Sequence, residues 1–345
     1  MLRAVLSGLE DLRLEDIQTP SPGPGEVLIR VGANTLCPTD VRILRGEKTS
    51  GVRMPVVLGH EIAGHVADVG PSVEGYELGA PVALMPGIPC RRCWECTNDL
   101  ENVCAHMRMF GYDVDGGLAE YTLLPAAAVD AGTLFVAETD LPSEALALAE
   151  PLACVITGQR VSPVQPGDTV LIMGAGPIGL LHLQMALLSG ARKVVVSQPS
   201  AGRRAIAERL GATVTVDPTT QDLAAVAGEV SEGVGIDSAF ICTGAPELVN
   251  TAIGLSRTGG RVSIFAGLRG GGWAHVDANM IHYKQVVVTG SSNTRRRDYR
   301  TALQLITSGR IDAGAMVTHR FPLADVHKAI DTVLTRDALK VAVLP

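Results

Sequence analysis

The sequence predicts an α/β protein in which an irregular β domain precedes a doubly wound parallel sheet. Three observations lead there. The first half is punctuated by turn residues, from Pro20-Ser21-Pro22-Gly23-Pro24-Gly25 through Gly46, Gly51, Pro55, Gly59, Gly64, Gly70, Gly75 and Gly79, with short β-type runs between them. Beyond Asp168, continuous apolar strands alternate with helical stretches, the pattern of a parallel sheet with crossover helices. Finally, 345 residues with 46% hydrophobic and 19% charged side chains suit two packed domains and leave no compositional sign of bulk disorder. Thirty-eight glycines and only 3% aromatics mean that the cores are built from Ala, Val, Leu and Ile.

Each element follows in order. Val27-Leu28-Ile29-Arg30-Val31 and Gly64-His65-Val66-Ala67-Asp68-Val69 read as strands of the first domain. The style changes at Ser143-Glu144-Ala145-Leu146-Ala147-Leu148, expected to be a helix capped by Ser143. Thr169–Met173 and Lys193–Ser197 are strands, followed by helices over Ile178–Ser189 and about Arg203–Leu210. Further strands are expected at Val214–Val216, Ser238–Ile241, Arg261–Phe265 and Gln285–Thr289. A helix over about Tyr299–Ser308 and a final strand, Lys340–Leu344, return to the first domain. Arg295-Arg296-Arg297 reads as a solvated turn in preference to a binding patch.

Charge and cysteine usage narrow the class. Twenty-nine Lys plus Arg against 36 Asp plus Glu give a net charge of -7, without the basic footprint of a nucleic-acid binder. Seven cysteines are too few for a disulfide scaffold at this length, and four of them share one short stretch, which points to metal. The first residues, soon interrupted by Glu10, Asp11, Glu15 and Asp16, do not read as a signal peptide. The most apolar window, Val170–Ala191, contains Pro177, His182 and Gln184 and reads as buried strand and helix, not a membrane span. A soluble, cytoplasmic protein is expected.

The chemistry-bearing motifs are three. Cys90-x-x-Cys93-x-x-Cys96-x7-Cys104 places four thiolates on one loop, enough to close a tetrahedral zinc site with no position open to water; His106 is a spare candidate. Gly174-Ala175-Gly176-Pro177-Ile178-Gly179 follows an apolar strand and opens a helix, the context in which this glycine spacing cradles a dinucleotide pyrophosphate. The third is a scattered set: Cys37, His60 with Glu61, and Glu150. A thiolate, an imidazole and a carboxylate would hold a zinc with an open position, although each residue taken singly reads equally as core, and Glu150 as a helix-terminal acid before Pro151.

Taken in order, Gly59-His60-Glu61-x-x-Gly64, the four-Cys loop, Glu150-Pro151, the glycine motif and Val317-Thr318-His319-Arg320-Phe321-Pro322-Leu323 resemble the zinc-dependent medium-chain dehydrogenases over almost the whole chain. The resemblance implies a GroES-like catalytic domain over 1–152 and 290–345, carrying the zinc loop near 90–104. A Rossmann domain over 153–289 is set within it, and the active site lies in the cleft between. Glu150 stands where typical alcohol dehydrogenases have a second Cys, which is similar to the sorbitol and L-threonine dehydrogenase branch. The implied substrates are secondary alcohols: polyols, sugars, cyclitols or aminocyclitols, and amino alcohols, interconverted with their ketones.

Roles carried over residue by residue make Cys37 and His60 catalytic zinc ligands, with Glu61 and Glu150 competing for the third position. Thr39 resembles the hydroxyl that bonds the substrate oxygen and passes its proton outward. Arg42 stands where relatives have a relay His, and Arg stays protonated, so the relay departs from the pattern there; Thr157 likewise replaces a common His. Two zinc ions per chain are implied, one catalytic and one structural, with NAD or NADP as coenzyme. The acid that grips a ribose 2′-hydroxyl in NAD-preferring sites is replaced by Gln198, and Arg203 and Arg204 follow, which tilts the balance slightly to NADP. The same arginines read equally well as solvent-facing residues of a first helical turn. A homodimer or homotetramer is implied, with the Gln285–Thr289 strand as the contact. The rival reading is a non-catalytic binding or structural protein that keeps the fold, and the intact Cys37, Thr39, His60, Glu61 and Glu150 set argues against it.

Overall fold

The structure is a computed structural model that describes residues 1–269, 272–335 and 338–345. The chain divides into two compact units: Met1–Ala153 with Asn293–Pro345, and Cys154–Ser292.

The first unit is built on a seven-stranded sheet in the order Leu134–Val136, Pro81–Leu84, Glu61–Val69, Val27–Thr35, Lys340–Leu344, Val317–Pro322, with Tyr121–Leu124 also paired to Val27–Thr35. Its register matters for everything below. Thr35 lies opposite Glu61 on one side and opposite Ala342 on the other. Because side chains repeat every second residue, Lys340 shares the face of Ala342. The last strand of the chain is thereby laid beside residues some 300 positions earlier. Val27, Ile29, Val31, Ile62, Val66 and Leu124 fill one face of this sheet, and a second cluster around Leu6, Leu36, Ile43, Leu58 and Val343 packs the other side.

Ser143 is not the helix cap expected of it. Pro142 occupies the N-cap of Ser143–Ala147, and the Ser143 hydroxyl packs on Gly32, where any Cβ would approach it to 2.2 Å. A side chain filling a neighbouring strand's vacancy is not turned back to cap its own helix.

The second unit is a six-stranded, all-parallel sheet in the order Val214–Val216, Lys193–Ser197, Thr169–Met173, Ile236–Ile241, Ser256–Ile264, Val287–Gly290. Thr169–Met173 is buried along its whole length and Lys193–Ser197 from Val194 onward, as their apolar runs require. Gln285 does not join the last strand: it takes a left-handed conformation, φ 52°, closing the helix Ala278–Lys284, and the strand begins at Val287. That strand sits at the sheet edge. Among the described residues no helix is long and apolar enough to cross a membrane.

His182, on the helix Pro177–Leu188, is fully buried between Phe240 (ring centroids 4.4 Å apart) and Phe265 (4.7 Å). Burial lowers its pKa from 6.5 to about 3, so the folded unit holds it neutral. The unfolded chain takes up that proton first, so stability is complete above pH 6.5 and is lost as pH falls towards 3. Urea unfolding measured from pH 6 to 4 is expected to show a pH slope about 1.4 kcal/mol per unit steeper for the wild type than for His182→Leu. Parallel slopes would show that His182 carries no part of the acid sensitivity.

Candidate functional site

The first donor set grows from the end of the Val27–Thr35 strand. Two residues later Cys37 occupies the N-cap of the helix Pro38–Leu44, with Pro38 at the first helical position, where its missing N–H costs nothing. Asp40, at the third position, accepts the Cys37 N–H through Oδ2 at 2.9 Å. Its other oxygen, Oδ1, lies 2.9 Å from His60 Nδ1. Asp40 is 1% exposed. One buried carboxylate thus fixes both the start of the helix and the ring of His60, leaving Nε2 as the nitrogen available to a metal.

Cys37 Sγ, one His60 ring nitrogen and one Glu61 oxygen lie within 4.8 Å of one another. Glu61 is held from behind: Lys340 Nζ lies 2.6 Å from Oε1 and 2.5 Å from Oε2, and Thr35 Oγ1 donates to Oε2. A carboxylate offers about four lone-pair directions, so these contacts leave Glu61 able to face a metal as well. Burial works against a charged His60, but Asp40 and then Cys37 outweigh it and hold the ring's pKa well above the usual value. Lys340 behaves alike: burial opposes its charge, Glu61 and then Cys37 overcome that, and its pKa rises. A donor set that draws protons this strongly is chemically suited to a divalent cation.

Glu150 opens the helix Ala149–Val161, is 9% exposed, and lies outside the 4.8 Å set. It is nonetheless close enough to act electrostatically. The Tyr112 phenol is pushed up to about 12, first by burial, with the negative charges of Cys37, Asp40 and Glu150 adding and His60 opposing. Thr39 is half-buried on the first turn of Pro38–Leu44, and Arg42, on the same helix, is exposed, 4.0 Å from Glu47.

The second donor set is the four-Cys loop. Cys90, Cys93, Cys96 and Cys104 offer sulfurs within 4.8 Å of one another, with Cys93 and Cys104 Sγ 3.6 Å apart. The N–H groups of Cys90 and His106 both point at Cys104 Sγ, at 3.3 Å. His106 therefore contributes its backbone, while its ring stands outside the set. Backbone donation from Arg92 draws the Cys90 thiol down to about 6, whereas burial and then the neighbouring sulfurs push Cys96 up to about 12. Crowded thiols of this kind ionise together only around a cation, and a tetrahedral zinc fits all four.

Arg295-Arg296-Arg297 is not a solvated turn. Arg296 begins the helix Arg296–Thr307, and Arg295, its N-cap, is 8% exposed, donating to Asn102 Oδ1 (3.2 Å) and Asp99 (3.3 Å). The Arg296 N–H is taken by Glu101 and Arg297 pairs with Asp99 at 2.7 Å. The run binds the Cys loop to the returning segment of the same unit, because that loop offers three acceptors in four residues.

The glycine motif lies between Thr169–Met173 and the helix Pro177–Leu188. Gly174 has φ +110°, and a Cβ at Gly179 would stand 1.8 Å from the Gly174 carbonyl oxygen. Both are required by the turn itself. Gly176, the N-cap, is different: a Cβ there would meet nothing within 4 Å. Its missing side chain leaves room in front of the helix N-terminus, the place for a pyrophosphate. Pro177 takes the first helical position and Ile178 the next. At the end of the neighbouring strand Gln198 is 9% exposed, and its Oε1 accepts the Ser200 N–H at 3.1 Å. Arg204 is drawn inward: its Nη1 donates to the carbonyls of Gln198 (2.7 Å) and Pro199 (2.6 Å) and pairs with Asp217 at 3.1 Å. That is a tie across the strand end, not the outward cation expected. Arg203 lies on the same helical turn.

Asp40, Lys340 and Thr35 are functional neighbours that sequence reasoning missed. Cys37-x-x-Asp40 was a readable signal, since an acid three residues after an N-cap turns back on it. Lys340 carried none, because only the sheet brings it to Glu61.

Two potential metal donor sets on one unit and a glycine turn at a helix N-terminus on the other are the features of a zinc-binding dehydrogenase. The alcohol dehydrogenase GroES-like domain family matches residues 23–131, and the zinc-binding dehydrogenase family matches residues 177–308. The L-threonine 3-dehydrogenase of Pyrococcus abyssi is 35% identical over 89% of this chain and 87% of its own length. The D-arabitol-phosphate dehydrogenase of Enterococcus avium is 31% identical over 97% and 94%. A crystal structure from Sinorhizobium meliloti 1021, assigned as a zinc-binding dehydrogenase and bound to NADP, superposes with a TM-score of 0.93 at 34% identity, covering 100% of this chain and 99% of that one. The chain belongs to the zinc-dependent medium-chain alcohol dehydrogenase family, with a GroES-like domain and a Rossmann-type sheet. It is an NAD(P)-linked oxidoreductase of secondary alcohols.

Both donor sets are expected to load. Metal analysis of the carefully prepared wild type should give two zinc ions per chain, and each of Cys93→Ser and Cys37→Ser should give one. Cys93→Ser should also lower the melting temperature by about 5–10 °C, because closing the loop contributes folding energy, whereas Cys37→Ser should change it by about 2 °C or less. One zinc in the wild type would mean that one set is idle.

Proposed function

We propose that Cys37, His60 and Glu61 hold the catalytic zinc, with Glu150 in the surrounding layer, and that Cys90, Cys93, Cys96 and Cys104 hold a structural one. The observation that carries this reading is the grouping of Cys37, His60 and Glu61 within 4.8 Å, each braced by a buried partner. Met1–Ala153 with Asn293–Pro345 is then the catalytic domain and Cys154–Ser292 the coenzyme domain. When bound, zinc supplies Lewis acidity at the substrate hydroxyl and the nicotinamide accepts the hydride.

The chain's own residues do the rest. Asp40 keeps the proton of His60 on Nδ1, so that Nε2 is the ligand. Lys340 and Thr35 fix the Glu61 carboxylate. Thr39 Oγ accepts the hydroxyl proton of the substrate and orients its oxygen. Arg42 is permanently charged, so the proton leaves Thr39 towards solvent by a route that does not use that side chain.

The substrate is a secondary alcohol of the polyol or amino alcohol class, as relatives acting on L-threonine and D-arabitol phosphate suggest. The coenzyme lean is to NADP, supported by the amide at Gln198, the nearby Arg203 and the NADP-bound neighbour. Arg204, committed to Asp217, adds little to it. A cytoplasmic location fits seven free cysteines. Purified zinc-loaded protein screened against polyols and amino alcohols with both coenzymes should show reduced-nicotinamide absorbance growing at 340 nm, a wavelength set by the coenzyme and not by this protein (~340 nm). Gln198→Glu should lower the ratio of NADP to NAD specificity constants by about tenfold or more, through repulsion of the 2′-phosphate. An unchanged ratio would place the ribose contact elsewhere.

We also infer a homo-oligomer, a dimer or tetramer, joined through the Val287–Gly290 edge. Among the described residues no strand pairs with the outer edge of Val287–Gly290, and Trp273, Tyr283 and Val287, close together in sequence, are all exposed. Light scattering at micromolar concentration should give a multiple of the monomer mass, reduced by Val287→Lys. A monomeric wild type would end the inference.

A further inference from the structure

We propose that Lys48 recognises an anionic group, a phosphate ester or a carboxylate, on the secondary alcohol substrate, with Tyr112 as the platform that positions it. The proposal rests on the dehydrogenase reading above and narrows its substrate class.

The argument starts from the turn that follows the helix Pro38–Leu44. Arg45 closes that helix and Gly46 takes φ +70°. The N–H groups of Glu47 and Lys48 then both fold back onto the Arg42 carbonyl, at 2.8 and 3.1 Å. This fixes where the Lys48 side chain begins. Its Nζ stands 5.8 Å from the centroid of the Tyr112 ring and donates to the Ser50 carbonyl at 2.6 Å. Tyr112 is itself pinned through its backbone, its N–H on the Met109 carbonyl and its own carbonyl taken by the Arg53 N–H. The same ring meets His60 edge-on, ring centroids 5.7 Å apart. An ammonium, an aromatic ring and a metal-binding imidazole therefore follow one another within one unit.

The ammonium has no carboxylate to neutralise it. Among the described residues no Asp or Glu lies within 4.0 Å of Lys48, and the adjacent acid, Glu47, approaches Arg42 instead. Of the other lysines, Lys193, Lys328 and Lys340 pair with Glu232, Asp325 and Glu61, and Lys284 donates to the carbonyls of Gly254 and Ser256, far from the donor set in sequence; Lys48 is the unpaired lysine that stands beside a ring in contact with His60. A neutral polyol would offer Lys48 only hydroxyl dipoles. A phosphate or carboxylate one ring away from the reacting hydroxyl would complete its charge, and a compact cation on a flexible stem suits either anion. The aromatic face keeps the cation at that place before substrate arrives.

The test compares matched pairs on the zinc-loaded protein: D-arabitol with D-arabitol 5-phosphate, and 1-amino-2-propanol with L-threonine. Kinetics are read with the preferred coenzyme, and binding is read separately by titration calorimetry. At least one anionic member should bind and turn over tenfold or more better than its neutral partner, and added salt should shrink the advantage. The phosphate and carboxylate arms decide which anion is meant. Lys48→Gln should erase the advantage by raising KM for the anionic member, and Lys48→Arg should retain it. Tyr112→Leu should weaken the advantage and Tyr112→Phe should keep it, and the salt dependence of the advantage should fall only in Tyr112→Leu. Equal binding of both members of both pairs, or an advantage that survives Lys48→Gln, overturns the proposal whether or not turnover occurs. Anion binding that depends on Lys48 without coenzyme-linked turnover of any pair would overturn the dehydrogenase reading alone.

Discussion

The Asp40 carboxylate is the contact on which the Cys37, His60 and Glu61 donor set turns. A buried carboxylate must have hydrogen-bond partners, and this one has two: the N–H of Cys37 and Nδ1 of His60. Those partners belong to the two chain segments that supply the sulfur and the imidazole. The helix Pro38–Leu44 and the start of the Glu61–Val69 strand are therefore tied to one point before any metal arrives. A carboxylate behind a ligating His fixes the ring's orientation and raises its basicity, so one side chain sets both the geometry and the strength of the donor.

The other brace works through sheet register. Thr35, Glu61 and Lys340 lie on three adjacent strands, and no local sequence rule links the last to the first two. Buried ion pairs contribute little net stability, since desolvation of both partners offsets much of their attraction, and an apolar pair of similar volume often does as well. Stability alone is thus a weak reason for Lys340 to stand where the flanking Val341, Ala342 and Val343 are all apolar core. Its place beside Glu61 is better explained by the work of holding a carboxylate, with a defined orientation, at the edge of a metal site.

These particulars show what a sequence can and cannot disclose. The strands Thr169–Met173, Lys193–Ser197, Val214–Val216 and Lys340–Leu344 were legible to the residue, because a continuous apolar run bounded by polar or turn residues admits little else. The four-Cys loop and the glycine turn were legible because their chemistry is local. Cys37, His60, Glu61 and Glu150 became a set only through resemblance, for nothing in their spacing joins them. Lys340 and Arg295-Arg296-Arg297 were misjudged or missed for a shared reason. A charge reads as solvated unless its partner is nearby in sequence, and here the partners, Glu61 for one and Asp99, Glu101 and Asn102 for the other, come from the far end of the chain.

The same electrostatics link the metal centre to protons. Cys37, Asp40, Glu61 and Glu150 can each carry a negative charge, and Lys340 offsets only one of them. Asp40 and then Cys37 hold a proton on His60 despite the burial that disfavours it. A divalent cation and that proton compete for the same imidazole, so metal affinity must weaken as pH falls. A further anion placed directly on the donor set would add to the repulsion, whereas one held at Lys48 would meet an ammonium that, among the described residues, no carboxylate neutralises. A bound divalent cation offsets part of that surplus of negative charge, and Lys48, beside the Tyr112 ring that also contacts His60, would supply a separate positive charge for an anionic substrate.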